Sequence, residues 1–137
     1  MTTRVTVRAQ IEALIARSQD QVFLTREFIG LGSKDQVTRA VRELVRDHQL
    51  VRMGQGVYAR AFTSRLSGDP VLYNEGGFIG AARQALDKLG VPWQFTDAQL
   101  AYREGRSNQI PVNPVVRVKG RFRRKLKVGK TELRVEH

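Results

Sequence analysis

The stretch 33–48 constrains this chain more than any other part of it. Ser33 is followed three residues later by Gln36, the pattern in which two side chains cap each other's backbone N–H groups at a helix start. Val37, Ala40, Val41, Leu44 and Val45 then recur at i, i+3, i+4, i+7 and i+8, one face of an α-helix. The spacing predicts a helix over about residues 34–48, with Lys34, Thr38, Arg39, Arg42 and Arg46 on its polar side. Gly30-Leu31-Gly32 precedes it as a tight turn that glycine permits. Leu50–Met53 and Val57–Arg60 follow it, two β-prone runs around Gly54-Gln55-Gly56 that predict a hairpin.

Upstream, Val7, Ile11, Leu14 and Ile15 place a first helix over Thr6–Ser18. Val22–Leu24 is a short apolar run suited to a connecting strand, and Thr25 caps a short helix over Arg26–Ile29 that buries Phe28 and Ile29. Helix, short helix, glycine turn, helix and hairpin form, in that order, the plan of a winged helix-turn-helix, expected over residues 1–61. A helical bundle with an appended hairpin has the same periodicity.

Residues 62–77, with Ser64, Ser67, Gly68, Asp69, Pro70, Asn74 and Gly76-Gly77, suggest a linker. Residues 78–137 then form a small basic domain. It has a helix over Phe78–Leu89 ended by Gly90, a strand over Val91–Phe95, a short helix over Asp97–Arg103 and a strand over Val115–Val118. Leu126–Val128 and Leu133–Val135 flank Gly129-Lys130 as a closing hairpin. The expected class is α+β: an N-terminal winged helix-turn-helix followed by a small α/β C-terminal domain.

Charge narrows the partner. The net charge is +11, and a chain this basic usually meets a polyanion. Residues 1–61 hold ten Lys/Arg against six Asp/Glu, and residues 62–137 hold fourteen against seven, so the larger excess lies in the second half. Residues 115–130 carry eight basic side chains and no acid. In a winged helix-turn-helix the helix at 34–48 enters the major groove of double-stranded DNA and the hairpin lies on the backbone. Ser33, Lys34, Gln36, Thr38, Arg39 and Arg42 are then the candidates for base or nearby phosphate contact, since Gln and Arg pair bidentately with adenine and guanine edges. Arg46 is a candidate for phosphate, and Arg52, Gln55 and Arg60 for contacts from the hairpin. Gly54 and Gly56 let the hairpin tip approach a sugar-phosphate backbone closely.

The run Arg117, Lys119, Arg121, Arg123, Arg124, Lys125 and Lys127 is a second candidate grip on nucleic acid, DNA or RNA, with a solvated charged face as the alternative. A protein-interaction module in which charge is incidental is a further reading.

Catalysis is not expected. The two histidines, His48 and His137, lack metal-ligand spacing, and His48 suits the C-terminus of its helix better than a substrate. Gly54-Gln55-Gly56 lacks the rest of a phosphate-cradling motif, so no cofactor is expected. Trp93 suits a core better than a base-stacking platform. There is no cysteine, which excludes a disulfide scaffold and fits a cytoplasmic protein. No stretch approaches the ~20 apolar residues of a membrane span, and the start has no apolar leader run.

The segments Val22–Thr25, Leu31–Ser33, Val37–Val45 and Leu50–Tyr58, with Gly56-Val57-Tyr58 closing the hairpin, resemble the AbiEi-type antitoxin family. The similarity extends through Leu89-Gly90-Val91, Ser107–Pro111 and Leu126–Gly129. The resemblance implies a bacterial DNA-binding repressor of its own operon, partnered by a nucleotidyltransferase-like toxin. It places DNA contact at Lys34, Gln36, Arg39 and Arg42 and near Arg52 and Gln55. Members of that family often continue with more helical sequence after the closing hairpin, which sets this chain apart from them in the part that bears on toxin neutralisation.

Overall fold

The first half is framed by two capped helices in the computed structural model, which describes residues 5–73 and 76–137. Thr6 Oγ1 accepts from Ala9 N at 3.0 Å and starts α1 (Val7–Arg17). Ser33 Oγ accepts from Gln36 N at 3.2 Å while Gln36 Oε1 accepts from Ser33 N at 2.8 Å, and this box starts α2 (Lys34–Arg46). The Gly30–Gly32 turn lets α2 close on α1: a Cβ at Gly32 would stand 2.6 Å from Val7 Cγ2.

Between the α1–α2 pair and the second half of the chain lies an antiparallel sheet of order β1-β3-β2, formed by β1 (Val22–Leu24), β2 (Leu50–Gly54) and β3 (Val57–Thr63), with β4 (Pro70–Leu72) paired to the far end of β3. Side chains alternate across a strand, and here both faces are covered. Phe23, Leu50 and Tyr58 pack with Ile11, Phe28, Val37, Ala40, Val41 and Leu44 on the α1–α2 side. Val22, Leu24, Met53, Val57 and Ala59 pack on the opposite side with Ala81, Ala82, Ala85 and Leu86 of α3 (Gly77–Lys88) and with Val116, Val118, Leu126 and Leu133.

After α3 come β5 (Trp93–Gln94), α4 (Asp97–Arg103), β6 (Val115–Val118), β7 (Lys127–Val128), β8 (Thr131–Glu132) and β9 (Arg134–Glu136). β6 is the middle of a three-stranded sheet, antiparallel to β5 and parallel to β9. Polar contacts lock α3 to the first half. Gln84 Oε1 accepts from the N–H groups of Gln21 and Val22, at 2.7 and 2.6 Å. Lys88, with its side chain only 17% exposed, reaches both Asp20 and Glu27 at 2.8 Å. The class is α+β.

Several expectations are corrected. The short second helix is a single 3₁₀ turn, Thr25–Phe28, and the Glu27 carboxylate satisfies the Leu24 N–H at its start, so Thr25 does not cap it. Ile29 is 78% exposed rather than buried, because the turn ends at Phe28. Much of the expected 62–77 linker is ordered hairpin: β3 runs on to Thr63 and pairs with β4 (Asn74 and Glu75 lie outside the described residues). The closing hairpin turns at Gly129-Lys130 as expected, with β7 paired to β8 and Leu133 N donating to Leu126 O at 2.9 Å, but its second arm is shorter than expected because β9 leaves to join β6. The two halves also share one core across the first sheet. Among the described residues no helix is long and apolar enough to cross a membrane, and no group of three His, Cys, Asp or Glu side chains is placed to hold a metal ion.

Candidate nucleic-acid interface

Burial of Val37, Ala40, Val41 and Leu44 fixes the rotation of α2 and leaves Lys34, Arg39, Arg42 and Arg46 outside the core. Two of the helix's acids are turned away from that face. Arg8 on α1 reaches Asp47 at 2.7 Å and Glu43 at 3.9 Å, and also holds Glu12 at 3.3 Å. The Arg8 hydrogen bond keeps the Asp47 carboxyl below the usual carboxylate range. Asp35 remains exposed in the first turn, where the helix dipole favours an acid. Arg46 is 72% exposed and lies 3.7 Å from Asp47.

Gln36 has a structural task as well: its amide oxygen accepts from the Ser33 N–H at 2.8 Å, which leaves its NH₂ group and the second lone pair of that oxygen for other partners. Ser33 in turn uses its hydroxyl oxygen to accept from Gln36 N. The capping box and the base-reading role draw on the same side chains.

The hairpin stands beside α2. Arg52 is registered opposite Tyr58 and shares the sheet face of Leu50, the α2 side. Thr38, Arg42 and Val45 of α2 line one wall of a groove of about 530 Å3, and Arg52, Gln55 and Tyr58 line the other. A second recess, of about 410 Å3, opens on the far side of the hairpin tip. Arg52 and Gln55 line it too, with Arg124, Lys125 and Lys127 opposite. The contact between the hairpin and the 124–127 segment is direct. Arg124 Nη2 donates to the Gln55 carbonyl at 2.5 Å, and a Cβ at Gly54 would lie 2.5 Å from the Lys125 carbonyl oxygen. The close approach that Gly54 permits is used inside the chain, against residues 125–126. Gly56 has φ +70° and closes the turn.

Thus α2, the hairpin and the 124–127 segment meet along one exposed line, with Arg52 and Gln55 at its middle. Several expected residues fall outside it. Arg60 is corrected outright: its guanidinium donates to the carbonyls of Asp20 (2.8 Å), Ile15 and Ser18 (both 2.6 Å) and stacks 5.3 Å from the Phe23 ring centre. It closes the end of α1 instead of facing a ligand. Arg117 points to Asp97 at 3.4 Å and Glu136 at 3.9 Å, so acids of its own chain partly offset its charge. Lys119, Arg121 and Arg123 are all exposed but line neither recess. His48 adopts φ 62° just past α2, and its ring meets Thr63 Oγ1 at 3.1 Å.

Tyr58 belongs to the groove and is not among the residues expected from the sequence. The alternation Val57, Tyr58, Ala59, which puts Tyr58 on the face of β3 toward α2, is the signal for it. Ile29, exposed near Lys34, has no such signal, because its exposure depends on where the 3₁₀ turn stops.

The model of a family described as a family of unknown function (DUF6088) matches residues 10–137. The chain belongs to this family. Its match spans both halves, so the family includes α2, the hairpin and the 124–127 segment together. No curated protein matches the chain.

Proposed function

We propose that this chain is a sequence-specific DNA-binding regulator of the winged helix-turn-helix type. On this reading α2 enters the major groove with Arg39 and Arg42 toward base edges and Lys34 and Arg46 toward phosphates. The β2–β3 hairpin is the wing, with Arg52 and Gln55 on the backbone. One observation carries the proposal: Arg52 and Gln55 belong to both recesses, so the polar face of α2 and the cations of 124–127 form a single surface rather than two. A continuous line of cations suits a continuous line of phosphates. The net charge of +11 supports the same reading.

The regulatory part of the proposal rests on the resemblance of the 22–58 segment to AbiEi-type antitoxins. It describes a cytoplasmic, non-catalytic repressor that binds its own operator and pairs with a nucleotidyltransferase-like toxin. Co-expression with the product of the adjacent gene tests it: relief of growth arrest is expected, and arrest that persists with intact DNA binding removes the toxin while leaving the DNA reading.

DNA binding itself is tested by selecting duplexes from a random pool and measuring affinity by fluorescence anisotropy. A recurrent motif is expected, and Arg39→Ala and Arg42→Ala should each weaken the selected site by ~1–3 kcal/mol. Wild-type affinity in both variants would remove α2 as the reader. Tighter binding to structured RNA than to any duplex DNA at matched salt would overturn the proposal.

A further inference from the structure

The second half carries a cavity that the basic line does not use. It has a volume of about 440 Å3 and lies between the start of α3, α4 and the 110–114 segment. Much of its wall is apolar, with Phe78, Ile79 and Phe95 among the lining residues. Two guanidinium groups line it as well. Arg103 Cζ lies 4.4 Å from the centre of the Phe95 ring, and Arg83 Cζ lies 4.7 Å from the same ring and 5.2 Å from that of Trp93.

Among the described residues these two cations are not matched by acids. Asp87, the one acid of α3, is hydrogen-bonded to Trp93 Nε1 at 2.8 Å. No ion pair to Arg83 or Arg103 is formed among the described residues, whereas Arg106, three residues beyond Arg103, holds Glu104 at 2.8 Å. Arg83 Nε is buried with no hydrogen-bond partner among the described residues. A buried donor without an acceptor is costly, and so are two like charges sharing one ring. Burial, and then the charge of Arg103, push the Arg83 guanidinium pKa down. An oxyanion placed between the two arginines relieves both costs.

The geometry points to a binding site for a small organic oxyanion, a carboxylate or phosphate monoester carried on a flat apolar body. The head group pairs with Arg83 and Arg103, whose planar forks match two-oxygen anions. The body lies against Phe78 and Ile79. A volume of about 440 Å3 is within the range of small-molecule sites, which are mostly apolar with a few convergent polar groups. The site shares no residue with the proposed DNA surface and stands or falls separately from it.

Trp93 is the chain's single tryptophan and its ring lies 5.2 Å from Arg83 Cζ, so its emission is sensitive to the state of Arg83 at the cavity wall. The test titrates the full chain with phenyl phosphate, benzoate, inorganic phosphate and benzyl alcohol at constant ionic strength. A saturable change in Trp93 emission is expected with at least one of the two aryl anions, and their ratio identifies the preferred head group. Inorganic phosphate should act more weakly, and benzyl alcohol should not act. Arg103→Ala, at an exposed side chain, should weaken the aryl anion about tenfold or more without shifting the unfolding midpoint. Arg124→Ala, at the other surface, should bind it as wild type does. The proposal is overturned by the absence of a saturable response to either aryl anion, by an equal response to benzyl alcohol, or by unchanged affinity in Arg103→Ala.

Discussion

Replacing Arg60 with alanine separates its structural role from the DNA-contact role that its position on the hairpin suggests. The guanidinium donates three hydrogen bonds, to the carbonyls of Asp20, Ile15 and Ser18 at 2.8, 2.6 and 2.6 Å. Two of these acceptors lie at the C-terminal end of α1, where Ile15 O otherwise accepts a 3.2 Å bond that the Ser18 N–H shares with Leu14 O, and where a cation is favoured by the dipole. A hydrogen bond to a charged donor contributes roughly 1.5–3 kcal/mol, so three at the low end total about 4–5 kcal/mol. Water reaches part of this half-buried end in the variant and recovers some of that, which leaves a loss of about 2–4 kcal/mol. For a chain of this length such a loss lowers Tm by roughly 10 °C. Urea and thermal unfolding measure the stability. Anisotropy with a selected duplex, under conditions where the variant is fully folded, measures binding. The expected pair of results is a large stability loss with DNA affinity within about threefold of wild type, since the side chain is engaged inside the fold. A variant as stable as wild type that binds DNA tenfold more weakly would refute the argument and return Arg60 to the interface.

Three further outcomes follow from the same geometry. Gly54→Ala puts a Cβ 2.5 Å from a backbone oxygen that cannot rotate away, so the hairpin must separate from residues 125–126; a loss of about 1–3 kcal/mol in urea unfolding is expected, together with weaker DNA binding. Replacing Arg124, Lys125 and Lys127 together by alanine should reduce the slope of log affinity against log salt by about 2–3, roughly 0.9 for each phosphate no longer neutralised, while the preferred motif is unchanged; an unaltered slope would detach that segment from the nucleic acid. Because Arg8 holds the folded-state Asp47 carboxyl below its ordinary value, the pair contributes stability above the usual carboxylate pKa and loses it as pH falls through that range and below; Asp47→Asn should therefore show a shallower acid limb in a plot of unfolding midpoint against pH, and an identical limb would deny the pair that role.

What was legible in the sequence was local. The Ser33–Gln36 box and the Val37–Val45 stripe fixed the start, the rotation and the outward-facing cations of α2, because those features need only residues one turn apart. α4 and β6 were equally local and lie at the expected residues. The errors came where distant segments decide. Thr25 is a good helix cap in isolation, but Glu27 takes the Leu24 N–H and Lys88 from α3 then holds Glu27, which favours a single tight turn. Serine, glycine and proline at 64–70 signal a turn in any context, and nothing local shows that the turn joins two paired strands and not two domains. The parallel partner of β9 is likewise invisible to a pattern read along one strand, which reports burial but not register with a strand well upstream. The candidate surface divides in the same way. Arg39 and Arg42 follow from helical phase alone. The meeting of Arg52 with Lys125, and the diversion of Arg60 and Gln36 to backbone groups, depend on three-dimensional neighbours.

The proposed DNA-binding role requires a hairpin held in a fixed position, and the sheet supplies the means. A hairpin with one face in water is marginally stable and splays easily. Here Met53 and Val57 near the tip are buried in one cluster with Leu126, and Arg124 closes over the Gln55 carbonyl. The tip is thus held from one side by α2 and its core and from the other by the second half of the chain. That fixes Arg52 and Gln55 relative to Arg42, and preorganised cations lose less entropy on meeting a phosphate backbone than cations on a free arm. The larger positive charge of the second half then has a structural consequence beyond attraction. The segment that carries Arg124, Lys125 and Lys127 also supplies Leu126, so the same four residues hold the hairpin in place and extend its charge. Replacing Lys125 and Lys127 by alanine while keeping Arg124 and Leu126 should leave the hairpin's position intact and change only salt dependence, whereas Leu126→Ala should cost about 2–5 kcal/mol of stability and loosen the hairpin with all its charges still present.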